Sequence, residues 1–321
     1  MNTLLEAGLG SAERILGSRF LLSVLMPVLL TAGASGGVAL AATGSTPGDA
    51  IQAWQRYSGS GQFLATLWVV LGLVGSAYLL AVCHLPFLRL IEGYWPEIAP
   101  LRHLRERRTK SHRRVAESGW QRVAELHAAQ AHLRAAALAT QLSTRYPPRR
   151  RLIDGCLPTA LGNHLRAAEF YPLERYGIDA VVIWPRLLPL LAPEAIARVN
   201  AARTALDTTV TLLGLATAFG AVWPLVLLAS GSGALAALPL LAWPMAWCAH
   251  RASLQAATAF GQEVAVVFDL YRHKLPHHLE LVVPADPDEE RRMWDDLGQF
   301  YLRNLPLPPG LQIRGGGPSA S

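Results

Sequence analysis

The sequence predicts an all-α, polytopic membrane protein with four transmembrane helices in two hairpins, joined by a helical cytoplasmic insert and followed by a helical cytoplasmic tail. Three observations carry this. Of 321 residues, 51% are apolar and only 16% are charged, a balance that suits a chain partly dissolved in lipid. Four stretches reach, or nearly reach, the roughly 20 apolar helical residues needed to cross a hydrocarbon core. Positive charge is concentrated between the second and third of them: residues 87–204 hold 19 Lys/Arg against 10 Asp/Glu, whereas residues 251–321 hold 7 against 9.

Residues 1–19 form a short cytoplasmic N-terminus, and residues 20–86 the first hairpin. Its spans, Phe20 to Ala42 and Phe63 to Cys83, contain no Asp, Glu, Lys, Arg or His. Arg14 and Arg19 precede an apolar stretch that ends in small residues, so a cleaved leader is the rival reading of the first span. Its length and the presence of Glu6 and Glu13 argue against that rival.

The second hairpin is placed at residues 205–250. Its first span runs from about Leu206 to Leu228 with Asp207 at its mouth, and its second, Ala234 to Ala249, is shorter and broken by Pro239 and Pro244. That last segment would cross only with bilayer thinning or with help from its neighbours. Trp54, Trp68, Trp95, Trp223, Trp243 and Trp247 lie at or near span ends, where an indole prefers the headgroup zone.

Orientation follows from the basic residues, which are in excess on cytoplasmic flanks. The loop between the first two spans has only Arg56, and that between the last two has no charge. The second span is followed by Arg89 and a basic run, Arg203 precedes the third, and Arg251 follows the fourth. Both hairpin tips are therefore expected outside. The abundance of Arg, Ala and Gly fits a GC-rich bacterium, and the expected location is a bacterial cytoplasmic membrane with both termini inside. Cys83, Cys156 and Cys248 are far apart and without a CxxC pair, so free thiols are expected.

The insert, residues 87–204, reads as helical. Between Pro100 and Tyr146, Val123, Leu126, Leu133 and Ala137 are expected on one stripe, ended by Pro147 and Pro148. A second pattern covers Ala160 to Phe170. A third begins near Pro193, with Glu194 and Arg198 one turn apart, and runs without a breaker into the third span. In the tail, residues 251–305, Ala252 to His273 extends the fourth span. Asp286-Pro287-Asp288-Glu289 then reads as a capped helix start whose helix carries Met293, Trp294, Leu297, Phe300 and Tyr301 on its apolar face. Residues 306–321 read as a disordered end.

Four phrases stand out together: Leu90-Ile91-Glu92-Gly93-Tyr94-Trp95, Thr159-Ala160-Leu161-Gly162-Asn163 with Arg166-Ala167-Ala168-Glu169, Tyr176-Gly177-Ile178-Asp179-Ala180 to Trp184-Pro185-Arg186-Leu187, and Phe268-Asp269-Leu270-Tyr271-Arg272. They resemble an uncharacterised family of multi-spanning actinobacterial membrane proteins. The resemblance implies the order hairpin, insert, hairpin, tail, and brings no activity, ligand or catalytic residue with it.

Three groups of residues are candidate sites. Arg102, Arg105, Arg107, Arg108, Lys110, Arg113 and Arg114 form a basic run with Glu106 as its one acid. It reads either as a topology-fixing cluster on a solvated helix or as a contact for anionic lipid. Nucleic acid is disfavoured, since no aromatic platform is interleaved with it. Asn163, Arg166, Glu169, Arg175, Asp179 and Arg186, with His164 and Glu174, lie among Tyr171, Tyr176 and Trp184. They read as a structural ion-pair network or as a ligand pocket or interface. Gly33, Gly37, Gly72 and Gly75 thin the first two spans and would allow close helix packing.

No nucleophile is placed beside a base, so an enzyme is not expected, and no cofactor fingerprint is present. His273, His277 and His278 are interrupted by Pro276, and Asp286 to Glu290 is explained by capping, so no metal site is expected. The absence of Asp, Glu, Lys, Arg and His away from span ends weakens pump and voltage-sensor readings and leaves an apolar-gated pore open. The leading expectation is a non-enzymatic, self-associating membrane scaffold whose insert and tail contact lipid or an unknown cytoplasmic protein. The alternative is an oligomeric channel or pore-forming effector gated through the insert.

Overall fold

The computed structural model describes residues 21–306 and residue 311. The N-terminus assigned to residues 1–19, and residues 307–310 and 312–321 of the C-terminal end, lie outside the described residues. Every regular element among the described residues is helical. Four segments are long and apolar enough to cross a membrane: Ser23–Ala42, Gly59–Glu92, Pro193–Ala229 and Gly233–Tyr271. Over its described residues the chain is an all-helical membrane protein.

The elements are α1 (Met26–Ala42), preceded by a π-helical turn at Leu21–Leu25, then α2 (Pro47–Gln55), α3 (Gly59–Glu92), α4 (Ala99–Ala128), α5 (His132–Arg145) and the single turn α6 (Leu152–Gly155). After these come α7 (Ala160–Tyr176), α8 (Ala180–Leu187), α9 (Pro193–Ala229), α10 (Ala242–Tyr271), α11 (Lys274–His278) and α12 (Pro287–Arg303). At 34 residues α3 is roughly 51 Å long and at 37 residues α9 roughly 55 Å, against a hydrocarbon core of about 30 Å. Each therefore extends well beyond the lipid. The chain divides into two units. One takes in residues up to Leu88 with Thr204–Ser253, and the other Arg89–Arg203 with the residues from Leu254 on.

In the first unit the apolar surface faces outward. Phe63, Trp68, Tyr78 and Leu79 are 68, 72, 68 and 64% exposed, which is affordable only in an apolar solvent. Val24, Val28 and Ala77 form a small buried seam with Leu73, Leu80 and Leu215 beside it. Gly214 of α9 lies so close to the Phe87 ring that a side chain there would overlap it. The Trp223 indole N–H donates to Ser35 Oγ at 3.1 Å.

Between the first two spans the chain forms a capped helix where only a loop is expected. Asp49 Oδ2 accepts from the Thr46 N–H at 2.8 Å, Thr46 Oγ1 accepts from the Asp49 N–H at 3.2 Å, and Pro47 occupies the first turn. The prolines of the fourth span also act differently from expectation. Pro239 sits in a 3₁₀ turn, Leu238–Leu241, but Pro244 lies in the first turn of α10, where an N–H would have no helical partner. Pro244 thus breaks nothing, and α10 runs on to Tyr271.

The second unit has an ordinary packed core. Ile178, Ile183 and Leu187 from around α8, Val267 and Phe268 of α10, and Met293, Trp294 and Leu297 of α12 are buried together. Asp286 caps α12 by accepting from the Glu289 N–H at 3.1 Å. The expected stripe across residues 123–137 is corrected: Gln130 takes a left-handed turn with φ 56°, and α5 folds back on α4. Val123 then packs with Ala135 and Leu142, while Leu133 is 89% exposed. Leu142 presses on Gly119, where a Cβ would stand 2.8 Å from its methyl.

Candidate functional site

The basic run lies on α4 and divides in use. Arg113 Nη2 donates to the Ile153 carbonyl at 2.6 Å and holds α6 in place. Arg105 pairs with Glu97 at 3.6 Å. Arg102, Arg107, Arg108, Lys110 and Arg114 remain exposed, and Arg102, Lys110 and Arg114 recur at multiples of four residues, along one side of the helix. Arg105, Lys110 and Arg113 also line a cavity of about 370 Å³ whose other walls include Tyr94, Cys156, Leu157 and Pro158. Burial pushes the Cys156 thiol up to about 11, so it stays protonated at neutral pH.

The charged residues between positions 163 and 186 do not converge on one pocket. Asn163, fully buried, uses its amide on the backbone: Oδ1 accepts from the Leu157 N–H at 2.8 Å, and Nδ2 donates to the carbonyls of Leu157 and Thr159, each at 2.9 Å. Arg166 pairs with Glu169 at 2.9 Å and lies near the rings of Tyr94 and Phe170. Asp179 caps α8 through the N–H groups of Val181 and Val182. Arg186 donates to the Val182 carbonyl, with its guanidinium 3.7 Å from the centre of the Tyr301 ring. Arg175 is exposed and gives its Nε to Tyr176 Oη at 3.3 Å.

A denser polar network joins residues that the sequence alone does not place together. Asp269 of α10 accepts from the hydroxyls of Tyr171, at 3.0 Å, and Tyr176, at 2.7 Å. Burial, and then that hydrogen bond, push the Tyr171 hydroxyl up to about 12. The Arg272 guanidinium stacks 4.1 Å from the Tyr176 ring centre and donates to Glu290 at 2.9 Å. Burial pushes the Glu290 carboxyl up, but hydrogen bonds from Arg272 and Trp294 and the nearby positive charge of Arg272 outweigh it and leave the group below its ordinary value. His273 Nε2 lies 3.2 Å from Glu290 Oε1, and His273 also lines a cavity shared with His277 and His278. Among the described residues no group of three His, Cys, Asp or Glu is placed to hold a metal.

In the first unit, His84 of α3 and Asp207 of α9 face each other at 3.9 Å, with side chains 16 and 5% exposed. The two polar residues at the mouths of the second and third spans thus meet. Gly33, Gly37, Gly72 and Gly75 are exposed, and a Cβ built on any of them meets nothing within 4 Å. Close packing inside the unit is made by Gly214 instead. No family model, no curated protein and no solved structure matches the chain.

Proposed function

We propose that the chain is a multi-pass protein of the bacterial cytoplasmic membrane, with both termini in the cytoplasm, that works without catalysis. It self-associates through its spans and uses its second unit to hold anionic lipid headgroups or a protein partner. The cavity beside the end of α3 carries this reading. Gly93 and Tyr94, which line it, directly follow a candidate span, and the cavity joins an apolar floor to Arg105 and Lys110. A phosphate headgroup with its attached glycerol has that pairing of chemistries. The open faces of Gly33, Gly37, Gly72 and Gly75 support self-association, because a second copy could bring its helices close there.

The test compares retention of phosphatidylglycerol and phosphatidylcholine by the detergent-purified full chain, read by native mass spectrometry. Each basic residue near an anionic headgroup contributes about 1 kcal/mol. Replacing Arg105 and Lys110 by Gln should therefore weaken phosphatidylglycerol binding roughly 30-fold, and added salt should weaken the parent's. Equal retention of both lipids would overturn the lipid reading. The same spectra read the assembly state, and a parent that flies only as a monomer would overturn self-association.

A further inference from the structure

We propose that the second unit holds a binding site for a small phosphomonoester, in a cavity separate from the one beside Tyr94. This cavity, of about 580 Å³, is lined by Trp120 of α4, Ser143 of α5, the turn Pro148-Arg149-Arg150, and Ala167, Tyr171, Glu174 and Arg175 of α7. The volume lies within the usual range for small-molecule sites and exceeds what a bare phosphate fills.

The charge of the lining identifies the ligand class. Three guanidiniums against one carboxylate leave a net charge of +2. A phosphomonoester carries close to −2 at neutral pH, whereas a carboxylate ligand carries −1. The guanidiniums are also uncommitted. The side chains of Arg149 and Arg150 have no hydrogen-bond or ion-pair partner among the described residues, and the Arg175 guanidinium donates only through its Nε. Their planar forks suit the paired oxygens of a phosphate.

The lining also has an apolar and aromatic part, which includes Trp120, Pro148, Ala167 and Tyr171. Tyr171 has its hydroxyl bound to Asp269, so the ring is what it can offer. The Trp120 indole N–H is buried and has no acceptor among the described residues, which marks it as a donor awaiting one. The organic part of the ester is therefore an aromatic or otherwise planar group that packs against these rings.

The full chain in neutral nanodiscs would be titrated with phenyl phosphate and, separately, with benzoate, by calorimetry. Phenyl phosphate should bind at least tenfold tighter than benzoate, and weaken as pH falls below about 6 and the ester takes up its second proton. Arg149→Gln with Arg150→Gln should weaken it at least tenfold while the melting midpoint stays at the parent value, since neither side chain has a partner to lose. Trp120→Phe, which keeps an aromatic ring and removes the N–H, should weaken it severalfold. Equal affinity for benzoate, or an unchanged affinity in the double Arg variant, would overturn the proposal. Nanodiscs containing phosphatidic acid distinguish the source of the ester. Loss of phenyl phosphate binding in them assigns the site to a lipid headgroup, and undiminished binding assigns it to a soluble ester.

Discussion

At the scale of single residues, the tightest constraint among the described glycines falls on Gly162. Gly162 opens α7 directly against the end of α3, and a Cβ on it would overlap the Glu92 carbonyl oxygen. Thr159 completes the joint by donating to that same carbonyl at 2.7 Å while accepting from the Gly162 N–H at 3.1 Å. Gly162→Ala should thus lower stability by about 1–3 kcal/mol, because the new methyl meets backbone that cannot rotate away. The measurement is the melting midpoint of the detergent-solubilised chain, and a value equal to the parent's would mean that the α3–α7 joint adapts. Two of the phrases that stand out in the sequence, around Glu92-Gly93 and around Thr159-Gly162, are the two sides of this joint. Their local spelling does not reveal that they touch, since Glu92 and Thr159 are separated by 67 positions.

At the scale of elements, legibility depended on whether the signal was local. The start of α12 was readable because capping is a four-residue property, and Asp286, Pro287 and Glu289 stand where it requires them. The turn between α4 and α5 was not. It carries neither Gly nor Pro, and Gln130 takes the left-handed position of the cap that ends α4, where the Ala131 N–H donates to the Leu126 carbonyl at 2.9 Å. The Tyr171, Tyr176 and Asp269 network was equally hidden, because it joins residues 93 or more positions apart. Helix α12 offers a test of which kind of interaction dominates. Asp286→Ala removes one cap and should cost about 1 kcal/mol. Trp294→Ala empties a core position that is 1% exposed, and should cost about 3–5 kcal/mol. Thermal melts of the two variants should rank in that order. If the cap variant were the more damaging, α12 would owe its place to its own start and not to the core beneath it.

At the scale of the whole molecule, the four candidate spans follow from composition alone, whereas the side on which each end lies rests on charge. The segment between the first two spans has one basic residue, Arg56, while the segment after the second has a basic run. An insertion that placed Arg102 to Arg114 outside would oppose the bias that orients such proteins. Cysteine labelling can decide the orientation, and the native thiols favour a clean background. Cys156 is buried and kept protonated by its raised pKa of about 11, so it should react slowly at neutral pH. Cys83 and Cys248 are exposed within or beside the apolar segments and would be replaced by Ser. In that background, Gln52→Cys on exposed α2 should react with a membrane-impermeant maleimide on intact cells. Ser111→Cys, exposed on α4 within the basic run, should react only after the membrane is opened. The reverse pattern would invert the proposed orientation and place the α4 cavity outside. Labelling of both sites on intact cells would mean that the residues between them do not cross as a single span, and the hairpin itself would have to be abandoned.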